Sequence, residues 1–442
     1  MLPPTWRADE MHSRCLTLLL AACAGALPVA AHGANWLEVS GNENPDAPRI
    51  RPLVILQPTY THIDADPISG LQGALSAYNG QTIFNNQVQP NFEDTTQFQF
   101  MRARFGARGR LTDQINYLAL VETGRNAMTS RRDVMLAALS VTFNHLPGAR
   151  IRAGLFKVPT DEEAIMAVHS ASRYIHFSNV VQNLLVEQPV RHAGPTANPT
   201  LANAQPVSGC NCFNDWGVQV YDWFDRGPWE FSYAAMLSNG GELENLSDQD
   251  GNKDLTLRLQ ASYVFGGKGP ARQDLSFFVW RQSGERRFGV GDHDRIREGL
   301  GFKLLKGPYR LSGSYLRGDG MIIAGLNPPF AGSPYAVGVD EKADGWYLEG
   351  GWRFHPKWEV DLRHDVLHLM TENPVNTRVP ATTTLGLQHF PRKDTRISLN
   401  YEWRGAEVAH PDAIADLVQR SNALAIPANL GDRISLQLTW VY

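Results

Sequence analysis

The chain has 442 residues and a formal net charge of −4, and only 19% of its residues are charged. This balance does not point to a nucleic-acid-binding protein, and no stretch in the body reaches the roughly 20 apolar residues that a membrane helix needs. The composition therefore excludes a helical membrane protein. It allows a membrane β-barrel, because half of the residues in each barrel strand face a polar lumen.

The N-terminal segment is predicted to be a secretory signal peptide. Residues 11–14 form a short positive region, residues 15–31 are apolar and uncharged, and small residues follow. These are the parts of a signal peptide, so we expect cleavage between Ala31 and Asn35. Met11 is an alternative start, because the residues before it fit poorly. The prediction assigns residues 1–33 to the signal peptide and residues 34–442 to a single barrel domain.

The chain has four cysteines, two of them in the signal segment. Cys23 ends a Leu-Ala-Ala-Cys run that resembles a lipoprotein cleavage site, but the apolar run continues well past it. Cys210 and Cys212 remain after cleavage. Export permits a disulfide between them, although a one-residue spacing makes such a bond tight. A loop feature without chemistry and a small local disulfide both remain open.

Alternation of apolar and polar residues between turn signals predicts sixteen strands. An even number of strands is what a bacterial single-chain barrel requires. The predicted strands cover residues 50–60, 96–109, 114–124, 132–143, 149–156, 214–224, 228–238, 254–265, 274–283, 295–305, 308–318, 344–354, 357–368, 381–390, 394–404 and 432–442.

The connections between these strands alternate in length. Every second one is short and rich in turn residues, such as 225–227 and 306–307. The others are mostly long, and 157–213 is the longest. Short turns at one end and long loops at the other are typical of outer-membrane barrels, whereas a soluble sandwich has no reason to sort its loops in this way. The barrel then closes without an unpaired strand edge in lipid.

The pleat of each strand separates an apolar face from a charged face. Charge on the lipid face is costly, so the charged face must line the lumen. Sixteen strands leave an interior too wide for side chains to fill, which predicts a water-filled channel. The residues predicted to face lipid include Met101, Ala103, Phe105, Ala107, Leu255, Leu257, Leu259, Ile397, Leu399, Tyr401 and Trp403, with Arg102, Arg104, Arg108, Arg258, Arg396, Asn400, Glu402 and Arg404 facing inward.

The last eleven residues, 432–442, show this pattern most clearly. Ile434, Leu436 and Leu438 share one face with Trp440 and Tyr442, and nearly all residues on the other face are polar. An ordinary amphipathic strand would look similar by itself. Together with the rest of the chain, an aromatic residue at the terminus predicts the closing strand of an outer-membrane barrel.

Two stretches of the sequence resemble the phosphate-selective porin family, porins O and P. The first is the Arg-rich run 100–111, and the second is 146–159, which contains Gly-Leu-Phe-Lys-Val-Pro and precedes acidic residues and Ser172-Arg-Tyr. The resemblance is clear over residues 96–240. It implies an outer-membrane homotrimer of sixteen-stranded barrels, each with a loop folded into the lumen and a ladder of basic side chains for phosphate-like anions. The 157–213 connection is expected to hold that constriction loop.

A capping box of Thr160 and Glu163 predicts a short helix over 161–169 in this loop. A helix N-terminus inside the pore favours anions. The acids Asp161, Glu162 and Glu163 would compete for it.

Inward arginines on neighbouring strands are the candidate functional residues. Clustered guanidinium groups bind oxyanions through bidentate hydrogen bonds and raise the local anion concentration. The competing hypothesis is that they pair with lumen acids and brace the wall; those acids are Glu122, Glu349, Glu359, Asp361 and Asp365. The predicted anion pathway comprises Arg102, Arg104, Arg108, Arg150, Arg152, Lys157, Arg173 and Arg258.

No catalytic, cofactor or metal site is predicted. Residues 248–254 have the carboxylate spacing of a calcium loop, but their Gly is early and the final Glu is missing, which favours a polar hairpin loop. The favoured function is a porin in the outer membrane of a Gram-negative bacterium, in contact with lipid and not with nucleic acid. Its water-filled channel is expected to pass small anions by passive diffusion, with phosphate or polyphosphate-like anions favoured by the family resemblance. A general diffusion porin is the alternative, and an outer-membrane enzyme is a distant third.

Overall fold

The computed structural model describes residues 43, 47–84, 92, 94–126, 128–129, 134–166, 172–186, 189–195, 200–206, 209–240, 251–267, 272–324 and 335–442. The predicted signal peptide and its cleavage site lie outside the described residues. No helix in the described part of the chain is long and apolar enough to cross a membrane.

Sixteen antiparallel strands close into one barrel, and the last strand pairs with the first. In chain order they are β1 (Arg51–Asp64), β2 (Thr96–Thr112), β3 (Ile115–Glu122), β4 (Met135–Phe143), β5 (Arg150–Lys157), β8 (Asn214–Arg226), β9 (Trp229–Ser238), β10 (Asp254–Gly266), β11 (Gln273–Phe288), β12 (Gly291–Lys306), β13 (Tyr309–Asp319), β16 (Lys342–His355), β17 (Trp358–Leu369), β18 (Arg378–Arg392), β19 (Thr395–Val408) and β20 (Asp432–Val441). Four short strands outside the barrel form a separate sheet: β6 (Val190–Pro195), β7 (Ala202–Pro206), β14 (Ile322–Ala324) and β15 (Tyr335–Gly338).

The predicted all-β barrel is confirmed, and each of the sixteen predicted strands overlaps one barrel strand. The short turns also lie where the sequence placed them. Gly227 and Gly307 follow β8 and β12 with φ angles of 63° and 58°, a conformation that glycine adopts without a steric penalty. One connection at the long-loop end departs from the pattern, because β11 and β12 extend outward and meet in a two-residue turn at 289–290.

The predicted faces are confirmed on the strands with unbroken alternation. On β10, Leu255, Leu257 and Leu259 are exposed on the outer surface, and Arg258 is buried. β19 and β20 show the same division between exposed apolar and buried polar side chains. This pattern places apolar carbon toward lipid and polar groups toward the lumen.

Met101 is the exception, and its predicted outward orientation is wrong. In the β1–β2 register Gln57 lies opposite Arg102 and Pro58 lies opposite Phe100, so Met101 is an extra residue. Such a bulge interrupts the alternation of faces. Met101 is buried, and its Sδ accepts a hydrogen bond of 3.7 Å from Nε2 of the lumen residue Gln437.

The connection from 158 to 213, called here the inner loop, folds into the barrel. It carries two short helices, Glu162–Ile165 and Asn179–Leu185. Val180, Val181 and Leu184 of the second helix are buried against side chains of the barrel wall. The inner loop therefore fills one side of the lumen with an apolar core. The wall residues of that core include Phe278, Trp280, Leu316, Tyr347 and Leu367.

The first helix differs from the prediction at both ends. It spans Glu162–Ile165, and residues 167–169 lie outside the described residues. The cap is Asp161, whose carboxylate accepts a hydrogen bond of 2.9 Å from the backbone N–H of Glu163. The predicted capping box is wrong, because the Thr160 hydroxyl donates to the carbonyl of Val158 instead.

The long loops pack on one another at their end of the barrel. The sheet of β6, β7, β14 and β15 joins the inner loop to the 320–341 connection. A 3₁₀ helix at Gly73–Tyr78 belongs to the first loop, and a 3₁₀ turn at Pro411–Ala413 and an α-helix at Leu417–Ala428 belong to the last. Asn422 joins these two loops through hydrogen bonds to both backbone groups of Gln72.

Candidate anion site in the barrel lumen

The inner loop is fastened to the wall through its own acidic residues. Glu162 forms ion pairs with Lys303 on β12 at 2.8 Å and with Arg258 on β10 at 3.2 Å. Glu163 pairs with Arg363 on β17 at 2.8 Å. Burial opposes ionisation of Glu162, yet Lys303 and Arg258 hold the pKa of its carboxyl below the usual value. These acids therefore neutralise basic wall residues on one side of the lumen.

The helix Asn179–Leu185 is held at both ends by charges that match its dipole. Asp365 accepts a hydrogen bond of 2.8 Å from the backbone N–H of Asn179 at the N-terminus. At the C-terminus the carbonyl of Leu184 accepts from Arg297 at 3.0 Å and from Arg295 at 3.4 Å. An acid at the start and cations at the end each stabilise a helix. The inner loop is thus positioned by electrostatics as well as by its apolar core.

The lumen acids named in the competing hypothesis are paired with basic side chains. Glu359 binds Arg173 of the inner loop at 2.9 Å, and Asp361 binds Arg310 at 2.6 Å. Glu349 also contacts Arg310. Sequence reasoning missed Arg310 and Arg363 as members of this network. Both arginines lie at inward-facing positions of β13 and β17, and the alternation of these strands could have identified them.

Five of the eight predicted pathway residues form ion pairs with carboxylates. Arg258 is almost completely buried, so it cannot meet a solute. These five residues therefore form the wall-bracing ion pairs that the competing hypothesis predicted. The pairs are Arg104–Glu122 at 2.7 Å, Arg150–Asp222 at 2.7 Å, Arg173–Glu359 at 2.9 Å, Arg258–Glu162 at 3.2 Å, and Arg108 with Glu43.

The other three predicted residues have no carboxylate within ion-pair distance among the described residues. Arg152 is buried, and its guanidinium donates to the Tyr221 hydroxyl at 2.9 Å and lies 4.8 Å from that ring. Lys157 donates from Nζ to the carbonyls of Ala164 and Met166, both at 2.7 Å, at the C-terminal end of the first inner-loop helix.

The remaining residue, Arg102, donates from Nη1 to the side-chain oxygen of Gln57 at 2.9 Å. Its guanidinium carbon also lies 5.7 Å from the ring centroid of Phe177 in the inner loop. Arg102 is therefore oriented by a neutral partner and a ring.

A cavity between the inner loop and the wall brings Arg102, Arg104 and Lys157 together. It is a recess that opens to solvent, and about 390 Å³ of space, open solvent included, lies between and in front of its lining residues. None of the ten described residues that line it is acidic, and three basic side chains face the same space. We call it the cationic cavity, and its lining is Arg102, Arg104, Asn126, Met128, Lys157, Phe177, Asn211, Cys212, Phe213 and Asn214. The other five residues of the predicted anion pathway do not line this cavity.

A second cavity shares one wall with the first and has a different charge. Residues 211–214 line both spaces, but the second is also lined by Asp215, Asp254 and Arg286. Arg286 binds both carboxylate oxygens of Asp254, at 2.8 and 2.9 Å. Cys212 of the shared wall is joined to Cys210 by a disulfide, which decides between the two alternatives left open by their spacing. Residues 211–214 thus lie between a cavity lined by basic side chains and a cavity lined by both acidic and basic side chains.

The described residues hold no group of three or more His, Cys, Asp or Glu side chains that could bind a metal ion. Residues 248–250 of the calcium-like sequence lie outside the described residues. Asp254, which ends that sequence, is the first residue of β10 and is bound to Arg286.

Comparison with known proteins gives a family match over part of the chain and a shared fold. The model of the family phosphate-selective porin O and P matches residues 285–428. This confirms the resemblance, but the matched residues lie after 96–240, where the sequence motifs placed it. No curated protein matches the chain.

Solved porin structures share the fold at very low identity. Salmonella typhi OmpF, in complex with daunomycin, has a TM-score of 0.53 and 8% identity, and the alignment covers 89% of this chain and 97% of that one. Pseudomonas putida OprB has a TM-score of 0.51 and 8% identity, with 94% and 100% covered. The outer membrane channel DcaP of Acinetobacter baumannii has a TM-score of 0.50 and 11% identity, with 89% and 97% covered. The fold is that of a sixteen-stranded porin.

Proposed function

We propose that the protein is a porin of a Gram-negative outer membrane that lets small anions diffuse passively down their gradient. The observation that carries this proposal is the cationic cavity, where Arg102, Arg104 and Lys157 face one space with no acidic residue in the described lining. Clustered positive charge raises the local concentration of anions. The family resemblance suggests phosphate-like anions as the first solutes to test.

The bonding of the three cations suits passage better than capture. Arg104 already shares its charge with Glu122, and Lys157 uses two of its three donors on backbone carbonyls. Arg102 has donors left over after its one bond to Gln57. Transport requires binding that is strong enough to replace part of the hydration shell and weak enough to release the ion. Partly engaged cations meet both conditions.

The outer surface supports a location in lipid. Exposed aromatic side chains lie near both ends of the strands, as in the girdles of outer-membrane barrels. The same proposal includes export by the predicted signal peptide, residues 1–33, and a mature domain of residues 34–442. It also includes assembly as a homotrimer. The exposed aromatic residues near the short-turn end include Phe224, Trp229, Tyr309, Trp352, Phe354 and Tyr442, and those nearer the long loops include Phe98, Phe100, Tyr315, Trp346 and Trp403.

A general diffusion porin is the second candidate, and the ion pairing elsewhere in the lumen favours it. Arg310, Arg363 and Arg258 are neutralised by neighbouring acids. Paired charges produce little net field, so a pore that passed solutes along that side would discriminate weakly. Measured ion selectivity separates the two candidates.

The test is the reversal potential of the purified channel in a planar bilayer across a potassium chloride gradient. We expect anion selectivity, and partial block of the chloride current when phosphate is added. Arg102→Gln removes one cation without leaving a buried acid unpaired, so we expect a severalfold fall in anion preference, with Arg102→Lys retaining most of it. A cation-selective channel, or equal selectivity in the wild type and Arg102→Gln, would overturn the proposal.

A further inference from the structure

The cationic cavity has a second chemical character besides its charge. Phe177 and Phe213 from the inner loop line it together with Met128. The two rings meet edge to face, with centroids 4.8 Å apart. Both side chains are partly exposed, so they present carbon to the space that Arg102 also faces. The lining of the cavity therefore combines basic side chains with apolar ones.

Two of the three asparagine side chains that line the cavity donate hydrogen bonds within the protein. The amide nitrogen of Asn126 donates to the carbonyl of Met101 at 2.6 Å, and that of Asn214 donates to the carbonyl of Ala137 at 2.8 Å. These two amides are thus engaged within the protein. The guanidinium groups of Arg102 and Arg104 bond through one nitrogen each to side-chain oxygens of described residues, which leaves other donors for a solute.

We propose that the cationic cavity favours organic monocarboxylates carrying an apolar group over small hydrophilic anions of the same charge. This inference rests on the proposed anion-channel function and adds a substrate class to it. A carboxylate matches the fork of donors on Arg102. The apolar group of the same molecule then lies against Phe177 and Phe213 and leaves water. A hydrophilic anion gains the first contact without the second.

The experiment measures block of the chloride current at pH 7 by sodium benzoate and by sodium acetate, which carry the same charged group. Burying one ring is worth enough to lower the half-blocking concentration of benzoate about tenfold relative to acetate. Cyclohexanecarboxylate should behave like benzoate, because the cavity offers carbon rather than a specific ring partner. In an anion-selective channel, equal block by benzoate and acetate overturns the inference while the proposed function stands.

Two phenylalanine variants locate the effect. Phe177→Ala removes most of the carbon that this side chain presents to the cavity, so the ratio of benzoate block to acetate block should fall severalfold. Phe288→Ala is the matched control, because Phe288 packs against His192 in the loop sheet, outside the cavity. An unchanged ratio in both Phe177→Ala and Phe213→Ala overturns the assignment to this cavity. A wild-type channel that lacks anion selectivity overturns the proposed function itself.

Discussion

The two sides of the lumen use the same residue types for different purposes. On the side of β10 to β17, basic wall residues meet the acids of the inner loop, as in Arg258 with Glu162 and Arg363 with Glu163. On the side of β2 to β5, Arg102 and Lys157 have no carboxylate within ion-pair distance in the described part of the chain. An inward arginine therefore either holds the inner loop in place or lines the cavity. Which of the two it does depends on whether a carboxylate lies within ion-pair distance.

The difference also has an energetic side. A buried ion pair contributes little net stability compared with apolar packing, but removing one partner leaves a buried charge and costs about 3–5 kcal/mol. The loop-facing side should consequently be sensitive to single substitutions. On the cavity-facing side, replacing Arg102 leaves no carboxylate unpaired, so the barrel should tolerate that change and its selectivity should change instead.

The largest effect is expected from Arg363→Met. Arg363 binds Glu163 at 2.8 Å and the carbonyl of His176 at 3.0 Å, and it lies 4.3 Å from the ring of Tyr174. Its loss leaves Glu163 and Asp365 buried without their cation and should destabilise docking of the inner loop by about 3–5 kcal/mol. Hydrogen exchange of the loop amides should accelerate, and single-channel conductance should become larger or noisier.

Arg281→Met provides the matched control for that variant. Arg281 pairs with Glu298 at 2.8 Å, but both side chains are exposed. This pair lies on the outer face of β11 and β12 and does not face the lumen, so exchange in the inner loop should stay as in the wild type. If Arg363→Met and Arg281→Met exchange at the same rate, the inner loop is not held by its acids.

A smaller effect is expected from Glu162→Gln. The substitution removes the charge that Lys303 and Arg258 face, and should weaken docking by about 1–3 kcal/mol. Because the pKa of Glu162 is depressed, its contribution is present above pH 4.5, the ordinary value, and is lost as the pH falls through the folded pKa. Acid should therefore loosen the wild-type inner loop more than that of Glu162→Gln, as measured by hydrogen exchange across pH. A similar acid response in both proteins would assign the pH sensitivity to other groups.

The smallest net effect on stability is expected when Arg104 and Glu122 are replaced together. Arg104→Gln alone leaves the fully buried Glu122 with two backbone donors and should cost about 1–3 kcal/mol. Adding Glu122→Gln removes the unpaired charge and should restore most of that stability. Thermal unfolding of the barrel measures both, and a double variant no more stable than the single one would show that the pair does not act as a unit.

The barrel could be predicted from the sequence because strand alternation and turn chemistry are local. Gly227 and Gly307 favour turns whatever the adjoining strands pair with. The Leu residues of β10 face outward because the residues that alternate with them are polar. Met101 could not be predicted in this way, since its orientation depends on a bulge that appears in the pairing of β2 with β1. The capping box of Thr160 and Glu163 failed for a related reason, because Glu163 bonds to Arg363 of the wall and to Ser178 of the inner loop instead of closing a local box.

By itself the sequence determined the fold class, the strand positions and the set of inward basic residues, because hydrophobic alternation at period two needs no knowledge of distant contacts. The tertiary structure alone decided which of those residues line the cationic cavity. Arg258 and Arg102 have the same inward parity, yet the inner loop brings Glu162 to the first and Phe177 to the second. That choice depends on how a long loop folds back against both walls, where contacts between residues far apart in the chain outweigh local pattern.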